Sequence, residues 1–379
     1  MKILLFIEYF YPHIGGVEQV VREIGKRLVK RHVGFIVFTT SQPQPNRQLK
    51  FIKKYFLGLV KEYELDSIRV VRLSLPEFLK RYLFPLIGLP LALFIFRDVD
   101  LIHSTNNYSV AVPAFLLAKI LNKKVTLSVW EIWGRKWFRY FPPHLAVFYW
   151  LYEKITLRLS FDYFIVPSKF VWRQIRHIPE SKKSLIFLGG KNLKFDKRAR
   201  RMLRHRYHLD RKFVFLYYGR LGISKGINYL INAHNQINRK FPEVLLYICS
   251  PDIKRFVGFP GFRKNGNIRL KPAIPASRLA KHLSMADCLV IPDVSASFGL
   301  SALEVSQMGL PLVTTTAGAL PEVAFGKVIF VKPGSVNSLA RGLIKAYQGK
   351  YQKIAKKHFS WSQTARDYQA VFQRLIQAG

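Results

Sequence analysis

The sequence predicts an α/β protein built as two tandem doubly wound, Rossmann-like domains with parallel sheets. Short apolar runs alternate with stretches of helical periodicity along all 379 residues. This alternation runs through twice, on either side of a basic stretch in which ten of the 22 residues Lys191–Lys212 are Lys or Arg. Hydrophobic residues make up 49%, enough for two cores. In open α/β sheets ligands lie beyond the carboxyl ends of strands, so a site is expected in a cleft where the two domains face each other.

The elements follow in order. Lys2–Ile7 reads as a buried first strand. Glu8, aromatics and Pro12 follow at once, without the long apolar region or small-residue cleavage site of a signal peptide. Val17, Val20, Val21, Ile24 and Leu28 share one helical face, predicting a helix over 17–31. Further strands are expected near 33–39, 68–73, 99–103, 124–129 and 162–166. Residues 82–96 are too short to span a bilayer and hold Pro85 and Pro90, so they read as a buried helix or an interfacial segment. The second half predicts strands near 213–218, 244–249, 267–270, 287–291, 311–314 and 328–331. Its helices are expected at 226–239, 276–285, 301–308, 335–348 and 360–377. The expected domains are 1–188 and 189–358, with 359–379 a helix packing back on the first.

Lys and Arg number 61 against 22 Asp and Glu, a net charge of +39 spread over both halves. Such a field favours nucleic acid, an anionic membrane or phosphate-bearing substrates. No zinc-finger spacing, Arg-rich recognition helix or RNP-like aromatic motif accompanies it, so specific nucleic-acid binding is not expected and stays a remote alternative. Cys249 and Cys288 sit in apolar strands and read as core residues. There is no P-loop, no G-x-S-x-G and no nicotinamide fingerprint.

Several constellations could carry chemistry. Gly15 and Gly16 open the first helix, whose free N–H groups could meet an anion; a plain tight turn is the alternative. Arg220 and Lys225 flank the glycine-rich turn after the 213–218 strand, a fork and a point charge suited to a pyrophosphate. Phe298-Gly299-Leu300 precedes a short helix with Glu304 one turn in. That carboxylate could accept from a vicinal diol, or simply answer the helix dipole. Asp98-Val-Asp100 has a metal-binding look but leads into a parallel strand with no further acid, so no metal is expected. His103 ends that strand and reads more simply as a structural histidine.

Taken in order, these residues resemble the family 4 glycosyltransferases, which have the GT-B fold. Gly15-Gly16-Val-Glu18 is similar to the family's G-G-x-E, Asp100-Leu-Ile-His103 to the strand before its interdomain loop, and Val166-Pro-Ser-Lys-Phe170 to its S-K-F block. Gly190 falls at the turn into the second domain. Gly219-Arg220 with Lys225-Gly226 resembles the donor-phosphate loop, and Phe298 to Val313 the second half of the signature. Gly318 to Glu322 and Phe359-Ser-Trp361 resemble the C-terminal blocks.

The resemblance implies metal-independent transfer of a sugar from a nucleotide-sugar donor, with retention, by a hexosyltransferase-like enzyme. Arg220, Lys225 and the amides near Gly299 and Leu300 would hold the diphosphate, Glu304 the ribose, and Gly15 and Gly16 would line the donor site. Two positions depart from the pattern. Ala296 stands where the family has the first Glu of Glu-x7-Glu, and Trp130 where it often has His. Glu131 or His103 could compensate as catalytic groups; the alternative is a catalytically impaired chain that binds nucleotide-sugar or glycan. The expected acceptor is a membrane-linked lipid or an envelope polysaccharide. Basic-aromatic segments at 50–56 and 135–141 suggest peripheral binding to an anionic membrane surface, on its cytoplasmic face.

Overall fold

The computed structural model describes residues 1–13, 15–40, 51–76, 78–106, 108–253 and 267–378, with the backbone alone at 51, 108 and 223. The chain divides into two units, Met1–Gly189 with Phe359–Gly379, and Gly190–His358.

In the first unit β1 (Lys2–Ile7), β2 (Gly34–Thr39), β3 (Phe51–Tyr55), β4 (Val60–Leu65), β5 (Ile68–Leu73), β6 (Leu101–Thr105), β7 (Lys124–Ser128), β8 (Tyr163–Val166) and β9 (Lys183–Leu185) form one sheet among the described residues. Its order is β3-β4-β5-β2-β1-β6-β7-β8-β9. Pairing is parallel except at β3–β4 and β4–β5. Ile3 to Ile7 are all buried, as a central parallel strand covered on both faces requires.

The helices Gly16–Val29 and Trp361–Gln377 pack together on one face of this sheet. Three helical stretches, 80–95, Tyr108–Ile120 and Pro143–Arg158, cover the other and close a core that includes Phe6, Phe38, Phe84 and Phe96. Along 80–96, Phe84, Gly88, Ala92 and Phe96 are buried at a spacing of four, and the π turn at Phe84–Gly88 has the proline at 85 as its second residue. No helix among the described residues is long and apolar enough to cross a membrane. The C-terminal helix meets the end of the first segment where a Cβ on Gly189 would lie 2.2 Å from the Trp361 nitrogen, so only glycine fits.

The second unit is also an α/β parallel sheet. Its strands are β10 (Phe213–Tyr218), β11 (Val244–Cys249), β12 (Ile268–Lys271), β13 (Cys288–Ile291), β14 (Leu312–Thr315), β15 (Gly326–Val331) and β16 (Gln352–Ile354), in the order β12-β11-β10-β13-β14-β15-β16. Only β15–β16 is antiparallel among the described pairs. Cys249 and Cys288 are free and buried, and burial pushes both thiols up to about 12.

The basic stretch at 191–212 is not a bare connector. It contains the helix Lys197–Arg206, started by the Asp196 carboxylate, which accepts from Ala199 N at 2.8 Å. Arg200 and Arg204 both grip Asp287 at the start of β13, and that carboxylate also accepts from Val214 N at 2.8 Å. Part of the net charge is thus structural. The edge hairpin β3–β4 likewise lies where no strand is legible in the sequence, because Lys53, Lys54 and Lys61 interrupt its apolar pattern.

Candidate functional site

Four parallel strands of the second unit, β10, β11, β13 and β14, end on one edge, and the loops leaving β10 and β13 are locked together there. Val294 N donates to the Ser224 carbonyl at 2.8 Å. Gly226 has φ +60, and a Cβ on it would lie 2.1 Å from the Pro292 oxygen. On the other side of the β13 loop, Gly318 has φ +56, and a Cβ there would lie 1.9 Å from the Ala296 oxygen, which accepts from Ala319 N at 2.9 Å. Glycine is required at both places, and between them they fix the backbone of 292–299.

Charge is arranged on this frame. Arg220 is exposed, and its guanidinium has no ion-pair partner among the described residues. Its carbonyl accepts from the Tyr217 hydroxyl at 2.9 Å, which holds the turn. Lys225 Nζ lies 2.6 Å from Asp293 Oδ2. Burial raises the Asp293 carboxyl above its ordinary range while Lys225 pulls it back. Lys225 is therefore a steered cation. The helix Leu300–Met308 starts at Gly299, φ +97, with no capping side chain, so its first N–H groups are available to an anion.

Glu304 is buried on that helix. Tyr218 at the end of β10 donates its hydroxyl to Glu304 Oε2 at 2.9 Å, and Lys191 Nζ lies 3.7 Å from Oε1. Burial, and then the neighbouring Glu304, push the Tyr218 hydroxyl well above its usual range, so it remains a donor. The second unit thus brings Arg220, Lys225, Gly299, Leu300 and Glu304 to one sheet edge: cations and free amides beside a carboxylate with a fixed orientation.

The other expected residues lie in the first unit. Gly15 precedes the helix Gly16–Val29, and a Cβ on it would lie 2.0 Å from Glu18 Oε2. The Glu18 carboxylate is folded over this turn and held by His13 Nδ1 at 2.7 Å, so the acid nearest this helix start is the chain's own. Glu131 is half-buried, and Asn106 clamps its backbone: Nδ2 donates to the Glu131 carbonyl at 2.8 Å while Oδ1 accepts from Trp130 N at 2.9 Å.

His103 does not suit catalysis. It is buried between the sheet and the C-terminal helix, with Nδ1 2.7 Å from Thr126 Oγ1 and Nε2 3.0 Å from Ser128 Oγ. Its ring packs against Tyr368 and Phe372, and burial pushes its pKa down to about 3. The histidine is a neutral structural group. Asp98 and Asp100 hold the first strand: Asp98 pairs with the Lys2 ammonium, and Asp100 accepts from Lys2 N at 2.7 Å. Among the described residues no group of three or more His, Cys, Asp or Glu is disposed to hold a metal ion.

Tyr218, Lys191 and Asn106 organise these sites without standing out in the sequence. Asp293, placed directly after Pro292 in the β13 loop, has a signal there, a charge two residues past an apolar strand.

Comparison with known proteins gives the arrangement its context. The family model described as Glycosyltransferase Family 4 matches residues 14–189, and that described as Glycosyl transferases group 1 matches 200–367. A subunit of the human phosphatidylinositol N-acetylglucosaminyltransferase is 22% identical over 99% of this chain and 76% of its own length. Sucrose-phosphate synthase from Thermosynechococcus elongatus superposes with a TM-score of 0.76 at 18% identity, covering 100% of both chains. HepE from Anabaena, in complex with UDP and glucose, superposes with a TM-score of 0.68 at 17% identity, over 99% of this chain and 95% of that one. With both halves matched in this order on a GT-B-like fold, the chain belongs to the glycosyltransferases, as a transferase with a family 4 domain followed by a group 1 domain.

Proposed function

We propose that the protein transfers a sugar from a nucleotide-sugar to a lipid-linked or envelope glycan acceptor, with retention of configuration and without a metal ion. Arg220, Lys225 and the N–H groups at the start of helix Leu300–Met308 would meet the charge that grows on the leaving diphosphate. Glu304, oriented by Tyr218, would accept from the ribose hydroxyls. Gly15 and Gly16 would let the backbone approach the sugar closely, and Glu131 would face it from a backbone clamped by Asn106. The observation that carries this reading is one sheet edge holding an exposed arginine, a steered lysine and a buried, braced carboxylate. HepE, whose structure holds UDP and glucose, supports a nucleotide-sugar as donor. The human relative, whose name specifies phosphatidylinositol, supports a lipid acceptor at a membrane, which we take to be its cytoplasmic face.

The test is release of free nucleotide from a panel of UDP-, GDP- and ADP-sugars. Turnover of one donor supports the reading, and failure of every donor to bind or react would overturn it.

A further inference from the structure

We propose that the outer surface of the helical layer 80–95, Tyr108–Ile120 and Pro143–Arg158, together with the turn at Phe56–Gly58, is the face that docks on an anionic lipid bilayer. The proposal deepens the membrane-acceptor reading and rests on it for its purpose. Among the described residues, fifteen of the eighteen exposed large apolar side chains fall between Ile52 and Ile155, so they are not scattered as surface hydrophobics normally are.

The three helical stretches lie side by side, each spending one side on the core. Their outward sides are apolar too. Tyr82 and Leu86, Leu116 and Ile120, and Leu151 and Ile155 are exposed pairs four residues apart, each on one helical face. The patch continues into its neighbours. Phe56 on the edge hairpin meets Phe94 with ring centroids 5.8 Å apart, and Phe138 meets Trp150 at 6.1 Å. Leu57, with φ +54, projects fully exposed from the turn.

Charge selects the occupant. Segments 52–59, 78–97 and 108–123 contain no Asp or Glu. Within Pro143–Arg158 the single acid, Glu153, accepts from Trp133 N and Gly134 N and does not offset the rim. Lys53, Lys54, Arg97, Lys119 and Lys154 are exposed around the apolar area, and Lys154 sits 3.7 Å over the Trp150 ring. Lysine is depleted from protein–protein interfaces, whereas cations beside aromatics at an apolar surface match the headgroup level of an anionic leaflet. Of the two basic-aromatic segments read from the sequence, 135–141 borders this face. Ile52 to Phe56 of the other are its hairpin edge, and Lys50 lies outside the described residues.

The experiment is flotation of the full chain with phosphatidylcholine vesicles, with and without about one third phosphatidylglycerol. The protein should float only with the anionic vesicles, and about 0.5 M salt should release much of it. The triple variant Leu57→Ser, Leu86→Gln, Ile155→Gln removes apolar groups that are 111%, 70% and 56% exposed. It should lose at least about tenfold in vesicle affinity, as three lost apolar contacts require. Its melting temperature and its nucleotide release in vesicle-free solution should not change. Absence of binding to anionic vesicles, or equal binding by the variant, overturns the proposal. So does a dimer in solution that the variant dissolves, which would assign the face to a second copy. Nucleotide release is read separately, so failure to dock and failure to turn over a donor are distinct results.

Discussion

The Tyr218 hydroxyl donates to Glu304 at 2.9 Å, joining the end of β10 to the second turn of the helix that follows β13. A buried carboxylate with one oxygen fixed in this way presents the other in a set direction. Tyr218→Phe removes the donor and leaves the acid under-solvated. Hydrogen bonds to charged groups are worth about 1.5–3 kcal/mol, so nucleoside diphosphate affinity should fall by roughly tenfold or more. Calorimetry with UDP, GDP and ADP measures this directly, and unchanged affinity for all three would detach Glu304 from the ribose.

The two cations of the β10 loop should separate. Arg220→Ala takes away an exposed group without an ion-pair partner among the described residues, so it should weaken diphosphate binding by about 1.5–3 kcal/mol and leave the melting temperature alone. Lys225→Ala should lower both, because it strands Asp293, which is buried. The same melting loss for the two variants would contradict this division.

Ala296 is buried, and its carbonyl is held by Ala319 N against Gly318. Ala296→Glu restores the carboxylate that the family pattern has there. In this packed loop we expect lower stability and lower turnover, a buried charge costing several kcal/mol where nothing pairs with it. Thermal melts alongside nucleotide release check both. A gain in turnover would mean that position 296 opens onto the sugar.

Acid should destabilise the first unit through His103. In the folded chain this group stays neutral down to about pH 3, while an unfolded histidine takes up a proton near 6.5. Its contribution is therefore constant above pH 6.5 and declines below it, by at most about 1.4 kcal/mol per pH unit. His234, lowered to about 4 by burial, makes the second unit acid-sensitive in the same direction. Denaturant melts from pH 7 to 5 should show a shallower slope for His103→Gln, and this variant should still release nucleotide when folded. Loss of turnover in a folded variant would return His103 to the chemistry.

The parallel strands were legible because strands covered on both faces must be apolar throughout, as Ile3–Ile7 and Val244–Cys249 are. The edge hairpin was not, since solvent-facing lysines break the pattern. The helix Lys197–Arg206 was hidden by its own charge, and only the fold shows that Asp287 receives Arg200 and Arg204. At the site, glycines and cations announced the loops, because backbone approach and diphosphate charge demand those residue types. Their partners were illegible: Tyr218 and Glu304 are 86 residues apart, and Lys225 and Asp293 are 68 apart. Such pairs exist only once the strands are laid side by side.

The crossing at Gly189 and Trp361 sets an order on biosynthesis. The helix Trp361–Gln377 supplies Tyr368 and Phe372 to the surroundings of His103, so the first unit lacks part of its core until the ribosome has passed residue 372. The second unit, a single uninterrupted stretch from Gly190 to His358, has been synthesised in full before then. Domains usually fold in the order of their synthesis. Here the half that begins first is completed last, and a nascent chain stalled in the middle of residues 361–377 exposes the apolar groove this helix is meant to fill.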